Sequence, residues 1–162
     1  MSVLVTLRVY AAQDNPFLFD LYASTRADEL ARFGWDAAQQ QAFVQMQYQA
    51  QRGSYLVQFP AAEYRIVQRG AADVGRLIVD RTSDAIWLVD ISLLPEHRNA
   101  GLGTELIRDL QTEAEQTGKP VMLHVDNSNR ARHLYERLGF AKTTDGALYI
   151  EMAWRPGSKT AG

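Results

Sequence analysis

The sequence contains no cysteine, which removes disulfides, thiolate metal sites and a cysteine nucleophile from consideration and fits a reducing compartment. It also lacks a strong excess of either charge. Its 17 Lys and Arg against 19 Asp and Glu leave a formal net charge of −2. Chains that hold nucleic acid chiefly through its phosphates show a basic excess, so no nucleic-acid partner is expected, and no attraction to an acidic membrane. Long apolar runs are missing too: no window approaches the ~20 residues needed to span a bilayer. The opening Met1-Ser2-Val3-Leu4-Val5-Thr6-Leu7-Arg8 has too short an apolar run for a signal peptide and no basic leader. A soluble, cytoplasmic protein is expected.

What is present suits a single globular unit. The chain has 162 residues, 46% of them hydrophobic and 22% charged, which is enough for one core and too little for two. One domain is expected over residues 1–155, with 156–162 as a disordered tail.

Residues 3–10 are rich in β-branched side chains and read as a strand. Asp14-Asn15-Pro16 is a helix-start signal, with Asn15 as cap and Pro16 at the first helical position. That helix runs to about residue 32, Gly34 interrupts, and Asp36 caps a second helix reaching Arg52. Phe43, Met46 and Ala50 recur in it at spacings of three and four, as a buried stripe requires. Three strands follow, over 63–68, 74–81 and 85–94. The last is apolar on both faces and so is expected at the centre of the sheet. Next come a helix over 101–117, with Leu102, Leu106, Ile107, Leu110 and Ala114 on one face, a strand over 121–125 and a helix over 129–138. A final hairpin turns at Asp145-Gly146, and its last strand is 148–154. Strands and helices in this order predict a mixed α/β (α+β) sheet with helices on its faces.

The segment Arg98-Asn99-Ala100-Gly101-Leu102-Gly103-Thr104 lies between the apolar strand and an amphipathic helix. A helix N-terminus has unpaired N–H groups and a partial positive charge, so it stabilises an anion. Glycines at 101 and 103 let a bulky pyrophosphate approach the backbone, Arg98 adds a charged donor and Thr104 a hydroxyl. A tight turn that binds nothing has the same glycines. A dinucleotide fingerprint needs a third glycine where Leu106 stands, and a P-loop needs Gly-Lys-Ser/Thr where Gly103-Thr104 stands.

Two motifs sharpen the reading. Leu93-Leu94-Pro95-Glu96-His97-Arg98-Asn99-Ala100-Gly101-Leu102-Gly103-Thr104 resembles the coenzyme-binding segment of GNAT acyltransferases, Arg/Gln-x-x-Gly-x-Gly/Ala after a Pro-Glu loop. Asn129-Arg130-Ala131-Arg132-His133-Leu134-Tyr135-Glu136-Arg137-Leu138-Gly139-Phe140 resembles that family's later signature, Ala-x-x-Leu-Tyr-x-x-x-Gly-Phe. The two occur in the family's order and spacing, and together span about residues 86–154.

The resemblance implies an acetyl-CoA-dependent N-acetyltransferase on a mostly antiparallel sheet splayed between its fourth and fifth strands. It implies that the backbone of Ile91, Leu93 and Leu94 bonds the pantetheine arm, as an added strand would. The pyrophosphate falls to Arg98, Asn99, Ala100, Gly101, Leu102, Gly103 and Thr104. Asn129 and Tyr135 are placed near the thioester, and Arg132 within reach of the coenzyme's phosphates. Where the family often has asparagine, three residues before Ala131, this chain has Ser128, flanked by Asn127 and Asn129.

Acetyl transfer to an amine needs a neutral amine, a polarised carbonyl and a stabilised thiolate. Without cysteine, and with no legible Ser–His–Asp set, direct attack in a ternary complex is the simpler route. Tyr135 is the candidate for stabilising the leaving thiolate. Asp90, in the middle of the apolar strand, is the candidate base, and the competing reading is a structural carboxylate satisfied by an arginine. Glu96, acting through water, is the other carboxylate considered. His97, His124 and His133 have no metal-site spacing, so no metal is expected. The acceptor is an amine, whether small molecule, protein N-terminus or lysine. Phe17, Phe19, Tyr22, Phe33 and Trp35 are candidates either to line its site or to fill the core. A homodimer is common in the family. A coenzyme-binding module without transfer activity is the alternative function, since it needs the turn at 98–104 but neither Tyr135 nor a base.

Overall fold

The computed structural model describes residues 5–126, 129, 131–145 and 149–157. In chain order these form β1 (Val5–Val9), α1 (Asn15–Leu30), α2 (Ala37–Gln58), β2 (Glu63–Arg69), β3 (Ala72–Arg81), β4 (Ile86–Leu93), α3 (Leu102–Thr117), β5 (Val121–Asp126), α4 (Ala131–Arg137), β6 (Ala141–Asp145) and β7 (Tyr149–Trp154). The order of strands and helices is the expected one. The expected turn residue Gly146, the expected strand residue Leu148 and residues 158–162 of the expected tail lie outside the described residues.

The seven strands make one sheet in the order β1-β2-β3-β4-β5-β7-β6. Every neighbouring pair is antiparallel except β4 and β5, which are parallel and paired only over Ile86–Leu88 and Val121–Leu123. One face packs on α3 and α4 through a core that includes Ile86, Leu88, Leu106, Ile107, Leu110 and Leu123. On the other face, α1 and α2 pack Leu18, Leu21, Tyr22, Val44 and Tyr48 around Ile66.

Local chemistry explains the helix limits. Asp36 accepts the Gln39 N–H at 2.8 Å, and Gln39 Oε1 accepts the Asp36 N–H at 3.1 Å, a reciprocal cap that starts α2. α1 begins one residue earlier than the Asn15 cap predicted. Asp14 holds the N-cap position, but its carboxylate bonds the Ala11 N–H and the Arg8 guanidinium, and Asn15 Oδ1 accepts the Tyr10 hydroxyl. α3 buries the face read from its sequence, together with Gln111, whose Nε2 donates to the Leu138 carbonyl at the end of α4 at 2.8 Å.

The stripe expected on α2 is corrected. Met46 is 61% exposed and Ala50 is exposed, while Val44 and Tyr48 are buried. The sheet-facing line runs 44, 48, 51, 55, and polar Gln51 in that line hid it from a purely apolar count.

A bulge in β4 decides which residues reach which face. Ile78 pairs with Asp90 while Val79 pairs with Leu88, so Val89 is one extra residue on β4. Ile86 and Leu88 point to the α3 face. Without the bulge Asp90 would follow them; with it, Asp90 faces the α1–α2 side, where it meets Arg76. The bulge sits where β4 parts from β5.

Candidate active site

Beyond Leu88, among the described residues, no strand pairs with the β5-facing edge of β4. The Leu94 N–H donates to the Val74 carbonyl at 2.8 Å, and its own carbonyl accepts the His97 N–H at 2.9 Å. Both Leu94 groups are thus engaged within the protein. The alternation of the antiparallel ladder then turns the N–H and C=O of Ile91 and Leu93 toward the gap. The Leu93 carbonyl also accepts from Arg98 Nε at 3.0 Å, which folds this side chain back along the end of β4; its two Nη groups have no partner among the described residues.

The gap leads to the start of α3. Asn99 has φ 61°, and Gly101, the residue before the helix, has φ 84°, a left-handed conformation that favours glycine. The first helical bond is donated by Glu105 to the Gly101 carbonyl at 3.0 Å, and no side chain caps the turn. The N–H groups of Leu102, Gly103 and Thr104 therefore find no acceptor among the described residues. Gly103 has ordinary helical φ, and a Cβ there would sit 3.7 Å from Leu134 Cδ2, an unstrained contact. Neither backbone geometry nor internal packing requires glycine at this position.

Leu134 belongs to α4, so the turn lies against the helix that carries Tyr135. Tyr135 is 7% exposed and packs on Phe140 with ring centroids 5.8 Å apart. Its hydroxyl makes no hydrogen bond among the described residues. Burial, and then the negative charge of Asp90, push its pKa well above the usual phenol range, so it stays a neutral donor.

Asp90 does not meet the apolar wall that its strand suggested. Its Oδ2 accepts from Arg76 Nε at 2.8 Å and from the Ser92 hydroxyl at 3.0 Å, and Arg76 Nη2 reaches Gln51 of α2 at 3.2 Å. The arginine partner weighed as the alternative is present. Oδ1 has no protein partner among the described residues.

Beside this pair is a cavity of about 140 Å³, well above the ~10–15 Å³ that one water needs. Tyr10, Tyr48, Tyr55 and Tyr64 line it together with Arg52 and Arg76. Burial, followed by the charge of Asp90, also raises the pKa of Tyr55 far above the ordinary phenol value. None of these tyrosines was singled out from the sequence. Tyr48 and Tyr55 come from α2, Tyr64 from β2 and Tyr10 from the segment after β1, and the packing of α2 on the sheet brings them together. Of the aromatic residues considered for an acceptor site, Phe17, Phe19, Tyr22 and Trp35 belong to the α1–α2 core, and Phe33 is half exposed and stacked on Trp35.

Other expected residues have local roles. Asn129 Oδ1 accepts the Ala131 N–H at 2.9 Å at the start of α4, and Arg132 Nε donates to Glu136 at 2.8 Å. Asn127 and Ser128 lie outside the described residues. Glu96 is exposed on a short 3-10 turn. His124 stacks on Trp87 with centroids 5.1 Å apart, and His133 is exposed. Among the described residues no cluster of His, Asp and Glu could hold a metal ion, and no helix is long and apolar enough to cross a membrane.

Comparison with known proteins agrees with this geometry. The profile of the acetyltransferase (GNAT) family matches residues 25–140. A curated [ribosomal protein bS18]-alanine N-acetyltransferase of Haemophilus influenzae is 34% identical over 68 residues, a match covering 41% of this chain and 47% of that protein, so it spans about half of the relative's length. The crystal structure of PaiA N-acetyltransferase from Thermoplasma acidophilum in complex with coenzyme A superposes with a TM-score of 0.70 at 13% identity, covering 94% of this chain and 99% of that one. The ribosomal-protein-S18-alanine N-acetyltransferase of Escherichia coli gives 0.62 at 24% identity, covering 98% and 97%. These two structures speak to the fold. The family profile covers the end of α1, all of α2, the parted strands and the glycine turn, and by that match the chain belongs to the GNAT acetyltransferase family.

Proposed function

We propose that the chain transfers an acetyl group from acetyl-CoA to a primary amine by direct attack in a ternary complex. The observation that carries this is the start of α3: three unpaired N–H groups, at Leu102, Gly103 and Thr104, beside a glycine that the protein's own packing does not require. Space kept free of side chain over unpaired amides suits a pyrophosphate. Solved family members with coenzyme A or acetyl-CoA, such as those from Thermoplasma acidophilum and Elizabethkingia anophelis, support the same ligand.

Bound there, the thioester supplies an activated acetyl group. Ile91 and Leu93 hold the pantetheine amides along the open edge of β4, with Leu94 excluded by its internal bonds. The amides of residues 99–104 and the free Nη groups of Arg98 hold the phosphates. Asp90 Oδ1 receives the amine and takes up its proton. The amine nitrogen attacks the carbonyl carbon, the C–S bond breaks, and the sulfur leaves with its electron pair against the Tyr135 hydroxyl. A phenol whose pKa is raised by burial serves best as a hydrogen-bond donor to that thiolate, with proton transfer following departure.

Incubation with acetyl-CoA and a panel of primary amines, following free thiol, tests the proposal. Amine-dependent thiol release supports it. Coenzyme binding without release on any amine would instead favour a binding module.

A further inference from the structure

The charges around the tyrosine-lined cavity do not balance. Arg76 is compensated by Asp90 at 2.8 Å. Arg52 is half buried in the same wall and has no ion pair or hydrogen bond among the described residues. The Tyr64 hydroxyl is buried without a hydrogen-bond partner, and its ring lines the same cavity. A partly desolvated guanidinium and an unpaired buried hydroxyl at one site leave one positive charge and one polar group unanswered. The two are close. Burial raises the Tyr48 and Tyr64 phenols, and the charges of Arg76 and Arg52 oppose that rise at both rings.

Resting on the transferase reading, we propose that the acceptor is a small primary amine that also carries a carboxylate, which Arg52 and the Tyr64 hydroxyl bind within the tyrosine-lined cavity. The amine then faces Asp90 Oδ1. Arg52 and Arg76 line one cavity, and Arg76 holds Asp90 at 2.8 Å, so Arg52 and Asp90 border the same small site. Amine and carboxylate are thus read within one site of about 140 Å³, which suits an amino acid or a very short peptide. The cavity's four tyrosines offer aromatic faces to an apolar body. A protein N-terminus presents its amine with no carboxylate within so small a site.

The test compares L-phenylalanine and L-leucine with their amides, with phenethylamine, with a dipeptide and with a ten-residue peptide, each with acetyl-CoA and the full chain. The free acids are expected to show at least tenfold higher kcat/KM than the amides and phenethylamine. In Arg52→Gln that ratio is expected to fall below about two, through a rise in KM for the acids. A dipeptide that matches the free acids keeps the carboxylate site and widens its reach. Amides or the ten-residue peptide working as well as the acids would overturn the proposal, as would an unchanged ratio in Arg52→Gln. Binding is read separately from transfer, by the thermal stabilisation that N-acetyl-phenylalanine and its amide give. Equal stabilisation overturns the carboxylate site. Stabilisation by the acid alone, with no thiol release on any amine, keeps that site and overturns the transferase reading.

Discussion

Arg76 on β3 and Asp90 on β4 meet at 2.8 Å across the sheet, with side chains only 8% and 16% exposed, and they meet because of the extra residue at Val89. The pair joins the sheet to α2 through Gln51 and leaves Asp90 Oδ1 without a partner among the described residues. Removing one partner strands a charge, whereas removing both does not. Arg76→Met is therefore expected to cost ~3–5 kcal/mol in urea unfolding. Arg76→Met combined with Asp90→Leu is expected to recover most of that loss while remaining inactive. A single-variant cost below ~1 kcal/mol would show that the pair is not buried as described.

Tyr135→Phe removes the hydroxyl and keeps the ring on Phe140. Turnover is expected to fall at least tenfold, or ~1.4 kcal/mol of barrier, with little change in coenzyme affinity. Because burial and Asp90 raise this pKa, the rate of the unaltered protein should show no falling limb from Tyr135 up to about pH 10. Steady-state kinetics across pH checks both expectations, and unchanged turnover would remove Tyr135 from the chemistry.

Acid should loosen the entry to α1. Arg8 grips Asp14 at 2.7 Å and Asp73 at 2.9 Å. Hydrogen bonds from Arg8 come first among the causes that hold both carboxyls below their ordinary pKa. A carboxyl with a depressed folded-state pKa adds stability above the unfolded value near ~4, and that stability is lost as pH falls through the folded value. Chemical denaturation between pH 5 and pH 2 should therefore show stability falling below about pH 4. The fall should be shallower in Asp14→Asn combined with Asp73→Asn. Equal slopes would contradict the assignment.

How much the sequence disclosed depended on whether a feature was local. α3 was legible because Leu102, Leu106, Ile107, Leu110 and Ala114 repeat with the helical period, and Gly101 because its left-handed φ leaves a mark in the sequence. The Asp36 cap was legible for the same reason. The bulge at Val89 was not, since an extra residue in an apolar run changes no residue type while it moves every later side chain to the opposite face. Arg76 looked like one more charge in a strand until β3 was paired with β4. The cavity needed Tyr48 and Tyr55 of α2 to meet Tyr64 of β2 and Tyr10, and no spacing along the chain announces that meeting. The resemblance supplied Tyr135 and the parting of β4 from β5, which residue patterns alone left open.

The most direct test of the account is titration calorimetry with coenzyme A on the native protein, Gly103→Ala and Gly103→Val. A Cβ here meets Leu134 at 3.7 Å, an ordinary contact, so the unfolding midpoint of Gly103→Ala should stay close to native, while the greater bulk of valine over the amides should displace the pyrophosphate. The account predicts binding by the native protein and an affinity that falls with added bulk, modestly in Gly103→Ala and at least tenfold in Gly103→Val. No heat with the native protein, or undiminished affinity in Gly103→Val, would contradict it.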